Sequence, residues 1–297
     1  MSGPPRLFDQ TLLDRHRRRA IRDAVEGADF LLRAVADDLA DRLSAVKRRF
    51  NFAADIASPS GLVAERLTAT GQVDRIVRLD RIAETDPDIV GDAEWLPFAP
   101  ESLDLAVSGL ALHWCDDLPG VLAQIRRALK PDGLFLAALL GGETLTELRQ
   151  SLAAAEAELT DGASPRVAPF AELRALGALL QRAGFALPVI DSDRRTVRYG
   201  SALDLMRDLR AMGATNVLHE RSRKPMTRAL LMRAASIYAE RFADADGRIR
   251  ATFEVISLSG WAPDESQQKP LRPGSARTRL ADALGTIERT AGEKAGR

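Results

Sequence analysis

Between residues 12 and 28, Leu13, Ala20, Ile21, Ala24 and Val25 fall at helical spacing, with a dense basic face between them. Leu31, Val35, Leu39 and Leu43 repeat every four residues and predict one stripe of a second helix. After Arg49 the period changes. Residues 50–56 are short and apolar, Ser58-Pro59-Ser60-Gly61 turns the chain, and Leu62, Val63, Arg66 and Leu67 start a helix. Residues 75–80 and 103–107 read as two more strands. Leu118, Val121, Leu122, Ile125 and Leu129 make an amphipathic helix that Lys130-Pro131-Asp132-Gly133 stops, because Pro and Gly prevent its continuation. Residues 134–140 are continuously apolar, as expected of a strand buried on both faces.

Further helices are predicted over 145–158, 171–183, 202–212 and 226–242. Two short extended segments, 186–190 and 196–199, flank a charged turn, and 252–258 reads as a late strand. Strand and helix alternate, which predicts an α/β fold on a mainly parallel sheet with right-handed crossovers. The expected layout is an N-terminal helical extension over 1–48, a core domain with helical insertions over 49–261, and a mobile tail over 262–297. Gly3-Pro4-Pro5 reads as a flexible start. No internal repeat is present.

Composition narrows the function. The 297 residues carry 42 Lys and Arg against 42 Asp and Glu, a formal charge of zero, whereas nucleic-acid binders carry a basic excess. No nucleic-acid partner is expected. Hydrophobic residues at 45% and charged residues at 28% describe a globular chain, with aromatics at only 5% leaving Leu, Ala, Val and Ile to fill the core. One cysteine, Cys115, and three histidines, His16, His113 and His219, argue against a disulfide and a multi-ligand metal centre, so no metal is expected. Cys115 has no flanking base and reads as an inert thiol. No stretch reaches the length of a membrane span. The N-terminus lacks the apolar region of a secretory signal, and Asp9, Asp14 and Asp23 interrupt its arginines as a transit peptide would not allow. A cytoplasmic protein is expected. The basic face at 15–22 is read as solvated surface, with peripheral contact to an anionic membrane or acidic partner as the alternative.

In an open α/β sheet, ligands bind beyond the carboxyl ends of the strands, where the crossover direction switches. Four segments are expected there: the turn after Ile56, Asp80 at the end of a strand, the turn Gly91-Asp92-Ala93-Glu94, and residues 108–114. A carboxylate at Asp80 can accept from the vicinal hydroxyls of a ribose. Asp92 can accept from an adenine amine, with Trp95 and Leu96 packing on the base. Each acid alone reads as a turn or cap residue; their joint spacing points to a nucleoside.

The runs Val90-Gly91-Asp92-Ala93-Glu94-Trp95-Leu96-Pro97-Phe98, Leu103-Asp104-Leu105-Ala106-Val107-Ser108 and Leu129-Lys130-Pro131-Asp132-Gly133 resemble class I S-adenosylmethionine-dependent methyltransferases of the type 11 kind. Ser108-Gly109-Leu110-Ala111-Leu112-His113-Trp114, Gly141-Gly142-Glu143-Thr144-Leu145-Thr146-Glu147-Leu148-Arg149 and Gly260-Trp261-Ala262-Pro263-Asp264-Glu265-Ser266-Gln267 are similar to the mitochondrial complex I assembly factor 5 family and its bacterial relatives. So are Leu7-Phe8-Asp9 and Met212-Gly213-Ala214-Thr215-Asn216. The resemblance implies a Rossmann-like methyltransferase fold, S-adenosylmethionine as cofactor, and for some members hydroxylation of an arginine on a complex I subunit. A sister group methylates malonyl carrier protein. The matching positions imply cofactor contacts at Asp55, Ala57, Gly61, Asp80, Asp92, Ala93, Ser108 and Leu110, with His113 and Trp114 on the substrate side.

One motif departs from the family. Its acid followed by alternate glycines reads here Asp55-Ile56-Ala57-Ser58-Pro59-Ser60-Gly61, with only Gly61 left of the series. Ala57 adds a methyl where glycine lets the backbone take left-handed angles, and Pro59 fixes φ and removes an N–H. A weakened hold on the cofactor is expected. Asp55 either meets the cofactor's amino group or caps the helix after Ser60. His113 is the histidine expected nearest the mouth and thus the base candidate, set against an oriented structural role beside Trp114. Dioxygen chemistry draws on a flavin, a haem or an iron held by histidines and a carboxylate; the three histidines lie far apart and build no such site. Three readings stand: an S-adenosylmethionine-binding enzyme acting on a protein such as a complex I subunit, a non-catalytic assembly chaperone on the same fold, and a malonyl-carrier-protein carboxyl methyltransferase.

Overall fold

The computed structural model describes residues 6–160, 162, 164–268, 282, 285 and 286. The start at 3–5, and the tail expected over 262–297 beyond Gln268 except for residues 282, 285 and 286, lie outside the described residues. The chain divides into two units, Met1–Asp264 and Glu265–Arg297, and every element below belongs to the first.

Helix α1 (Gln10–Asp23) starts where Asp9 accepts from the Leu12 amide at 3.0 Å, satisfying one orphan donor of the first turn. Helix α2 (Phe30–Ser44) buries the predicted stripe, Leu31, Val35, Leu39 and Leu43. Strand β1 (Phe50–Ile56), α3 (Leu62–Ala69), β2 (Val73–Asp80), the two-residue β3 (Ile89–Val90) and β4 (Leu103–Gly109) follow. Helix α4 (Leu118–Ala128) is capped by Asp117, which accepts from the Gly120 amide at 2.9 Å. Then come β5 (Leu129–Leu140), α5 (Thr146–Leu159), α6 (Leu173–Arg182), β6 (Ala186–Tyr199), α7 (Ala202–Ala211), α8 (Arg228–Phe242) and β7 (Ile249–Trp261).

The seven strands form one sheet in the order β3-β2-β1-β4-β5-β7-β6. The first five are parallel, and β7 inserts antiparallel between β5 and β6. From β1 the chain winds outward to β2 and β3, then returns to the other side of β1 with β4 and β5. The switch point therefore lies between β1 and β4. All seven residues of β4 are buried, as its central place requires. Side chains alternate between two cores. Ala53, Leu105 and Leu136 face α2, α3, α5 and α8, while Ile56, Ala106 and Phe135 face α4 and α6.

Two expectations change. The segments 186–190 and 196–199 are one strand: the charged residues between them stay in register with β7 from Asp191 opposite Ser257 to Arg195 opposite Phe253. That strand lies at the sheet's edge, where charge on the chain is solvated and discourages further pairing. Lys130-Pro131-Asp132-Gly133 does not separate α4 from a later strand. It forms an irregularity within β5, between Leu129 opposite Leu103 and Leu134 opposite Leu105, with Asp132 at φ 58°.

Two backbone features shape the switch point. A Cβ on Gly109 would lie 2.7 Å from Val63 Cγ2, so glycine there lets α3 approach the end of β4. Ala57, the residue after β1, has φ 59°: the loop keeps the left-handed turn that favours glycine although the side chain is alanine. A left-handed alanine carries a steric cost of about 1–2 kcal/mol, partly offset by glycine's greater chain entropy. Ala57→Gly is expected to raise unfolding stability by about 0.5–1 kcal/mol in urea titration; a loss of stability would show that the methyl group packs more favourably than the backbone is strained.

Candidate active site

Beyond the ends of β1, β2 and β4 lies a cavity of about 540 Å³. Asp80, Asp92, Ala93, Ala57, Leu110 and His113 all line it, together with side chains of α1 and α2. The sheet's switch point thus brings six of the nine proposed site residues to one space.

Asp80 ends β2 at 1% exposure, and its carboxylate is fully engaged. Arg17 of α1 donates Nη1 to Oδ1 at 2.9 Å and Nη2 to Oδ2 at 2.7 Å, a bidentate pair. The Ile82 amide donates to Oδ1 at 3.3 Å and the Thr85 hydroxyl to Oδ2 at 3.0 Å. Each oxygen accepts two hydrogen bonds, which fills the roughly four lone-pair positions a carboxylate offers. Asp92 accepts from the Glu94 amide at 2.9 Å, as an acid in a tight turn does, and pairs with Arg81 Nη1 at 3.3 Å. Arg81 also donates to Gln10 at 3.1 Å and to Asp14 at 3.1 Å, both on α1.

On another part of the wall His113, Trp114 and Phe170 meet as an aromatic cluster. His113 lies 4.9 Å from Trp114 and 5.3 Å from Phe170, and Trp114 lies 5.9 Å from Phe170, the last two contacts edge to face. The Leu140 amide donates to His113 Nδ1 at 3.4 Å, which leaves the proton of the neutral ring on Nε2. Burial pushes His113 down to about 3, so the imidazole is neutral at physiological pH. Cys115 is half-buried by exposure, and desolvation together with Glu94, Asp92 and Asp116 drives its thiol far up, away from nucleophilic behaviour.

Three proposed contacts lie behind the wall. Ser108 spends its hydroxyl on the Ile56 carbonyl at 2.7 Å, tying β4 to β1. Gly61 precedes α3 and faces the Arg78 guanidinium. Asp55 accepts from the Ser58 hydroxyl through Oδ1, while Ser58 accepts from the Gly109 amide at 2.9 Å. This chain of bonds holds the loop after β1. Among the described residues Oδ2 of Asp55 is buried without a hydrogen-bond partner, and burial pushes the acid up to about 7 against the opposing effects of Ser58 and Arg78. Trp95 does not pack on the cavity: it is 80% exposed, while Leu96 is buried in the core beneath it.

Arg17, Arg81 and Phe170 were not singled out from the sequence. The arginine run of α1 carries the period of a solvated face, and nothing local marks Arg17 as the partner of an acid 63 residues away. Among the described residues no group of three or more His, Cys, Asp and Glu side chains converges as a metal site requires.

The strand order with its antiparallel β7, and a nucleoside-sized cavity bordered by acids after β2 and β3, define a class I methyltransferase fold. A family described as "Methyltransferase domain" matches residues 54–137. A crystal structure described as that of a methyltransferase from Bacillus halodurans superposes with a TM-score of 0.51 at 18% identity, covering 77% of this chain and 99% of that one. The arginine-hydroxylase NDUFAF5, mitochondrial, of Danio rerio is 39% identical over 264 residues, spanning 86% of this chain and 82% of the relative. A malonyl-[acyl-carrier protein] O-methyltransferase of Laribacter hongkongensis is 35% identical over 268 residues, 83% of this chain and 88% of the relative. The chain belongs to the NDUFAF5 arginine-hydroxylase family.

Asp55 makes a pH prediction. Its folded pKa, about 7, stands above its ordinary value of 3.8, so the folded state holds the proton more tightly. Stability from this group is therefore fully present below about pH 4 and is lost as pH rises toward 7. Asp55→Asn has no charge to desolvate. Its melting temperature relative to wild type is expected to rise by roughly 4 °C or more between pH 5 and pH 8. A constant difference across that range would contradict the burial of an ionisable Asp55; His16 and His113, which shift the other way, cancel in the comparison.

Proposed function

We propose that the cavity binds S-adenosylmethionine and that the protein modifies an arginine of a protein substrate during assembly of respiratory complex I, by hydroxylation in which dioxygen gives one oxygen atom to the arginine and the other leaves as water, with two electrons and two protons from an external reductant. The observation that carries this reading is one cavity that joins the Asp80 and Asp92 carboxylates to the aromatic wall of His113, Trp114 and Phe170. Membership of the arginine-hydroxylase family supports the substrate. A carrier-protein carboxyl methyltransferase is the weaker reading, since relatives of that name match either over a shorter part of this chain or, over a comparable part, at lower identity.

The residues present suit the cofactor. Asp80 would accept from the ribose hydroxyls and Asp92 from the adenine amine, with Ala93 and Leu110 as apolar neighbours of the base. Leu110, like Ala57, holds a positive φ, 52°, which turns the chain sharply at the cavity wall. When bound, S-adenosylmethionine carries an electrophilic methyl group on its sulfonium. The weakened glycine loop is held together by Asp55, Ser58 and Gly109 rather than by glycine.

Trp114 and Phe170 put aromatic rings on the cavity wall, and a guanidinium over a ring face gains about 0.5–2 kcal/mol, more as water is excluded. A neutral His113 adds to this wall without repelling the cation. It is a weak base at neutral pH, so we assign it to substrate positioning in place of the general-base role expected from its position in the sequence. No helix among the described residues is long and apolar enough to cross a membrane. We place the protein in the cytoplasm, with peripheral contact at the inner membrane; the NDUFAF5 relative of Danio rerio is described as mitochondrial.

Titration calorimetry with S-adenosylmethionine is expected to show binding that Asp92→Ala weakens about tenfold or more, the scale of a lost hydrogen bond to a charged group. Mass spectrometry of complex I subunits from a deletion strain is expected to show one arginine lacking the mass of an oxygen. A folded protein that gives no heat at millimolar ligand, or subunits of unchanged mass, would overturn the reading. A missing methylene would replace hydroxylation by methylation.

A further inference from the structure

The side chain that occupies Asp80 belongs to a helix held largely by polar contacts beyond its first turn. Of the fourteen residues of α1, only Leu12 and Leu13 are buried, so fully buried apolar packing is confined to its first turn. That end is also fixed by Arg221, which donates to Asp9 at 3.0 Å, and by Asp116, which accepts from the Leu7 and Phe8 amides at 2.9 Å. Past the first turn, α1 is held by a hydrogen bond between His16 Nδ1 and the Thr215 hydroxyl at 2.7 Å, by close approach of Arg17 and Ala20 to Gly213, and at the cavity by charge. Arg17 grips Asp80, Asp14 accepts from Arg81, and Arg81 reaches on to Asp92. Arg18 adds an exposed pair with Glu84. The helix thus docks on the two acids that the nucleoside reading assigns to ribose and adenine.

We infer that Arg17 sets the affinity for the adenosyl ligand by competing with it: the Arg17 guanidinium and the ribose hydroxyls are alternative occupants of Asp80, so binding requires Arg17 to leave and the distal part of α1 to loosen. The argument is one of acceptor capacity. Both Asp80 oxygens already accept two hydrogen bonds, and the two from Ile82 and Thr85 come from the strand's own continuation. Only the two from Arg17 come from a separate element that can withdraw. Arg17 is 15% exposed in its side chain, so it has a path to solvent that Asp80, at 1%, lacks. The apparent dissociation constant is the intrinsic one divided by the fraction of molecules in which Arg17 is away.

This inference rests on the nucleoside reading of the cavity, and its test separates the two. S-adenosylhomocysteine is titrated calorimetrically into wild type and Arg17→Gln, whose amide removes the charge and the bidentate fork. The variant is expected to bind about tenfold more tightly, the effect of raising the competent fraction by that factor. Equal or weaker binding would overturn the competition while leaving the nucleoside site intact, and weaker binding would show that Arg17 supports the ligand. No binding to either protein would instead remove the nucleoside reading itself, and the competition with it. Should Arg17→Gln not fold, hydrogen exchange on the wild-type protein decides: amides of residues 17–23 are expected to exchange faster with S-adenosylhomocysteine present, and unchanged or slower exchange overturns the proposal.

Discussion

A carboxylate at 1% exposure must be matched by donors, and at Asp80 that requirement governs the site. The strand end supplies two, through Ile82 and Thr85; the remaining two and the compensating charge come from Arg17. Removing the cation from a buried acid costs about 3–5 kcal/mol unless another partner replaces it. On the proposed reading a ribose would take over the two hydrogen bonds of Arg17 but not its charge. The acid is placed by sheet topology: β2 lies beside β1, the chain reverses direction between β1 and β4, and the strand ends at that reversal face the cavity.

The loop after β1 solves a related problem with a different set of residues. Where glycines would let the backbone turn freely, this chain turns at Ala57 with φ 59° and secures the turn through Asp55, Ser58 and the Gly109 amide. The result is a more sequence-specific loop, dependent on a buried acid whose ionisation is opposed by its burial. Gly109 serves both sides of this arrangement, giving α3 room to approach and presenting its amide to Ser58.

Much of this was legible in the residue pattern because it is periodic or local. The four-residue stripe of α2, the apolar run of β5 and the strand-end position of Asp80 each follow from spacing alone, and Asp92 from its polar turn. The departures have physical reasons. Residues 191–195 look like a turn because they are charged, yet an edge strand tolerates charge and β7 supplies the pairing. Ser108 and Asp55 sit at the expected places along the chain, but their side chains are taken up by the Ile56 carbonyl and the Ser58 hydroxyl. Arg17 was illegible for the opposite reason. In a run of arginines each looks solvated, and which one turns inward is decided by a tertiary contact across 63 residues.

The measurement that bears most directly on this account is a crystal structure of the protein with S-adenosylhomocysteine. The account predicts ribose hydroxyls on the Asp80 carboxylate, the adenine amine at Asp92, and the Arg17 guanidinium withdrawn from Asp80. Ligand bound elsewhere, with Arg17 still paired to Asp80, would contradict it.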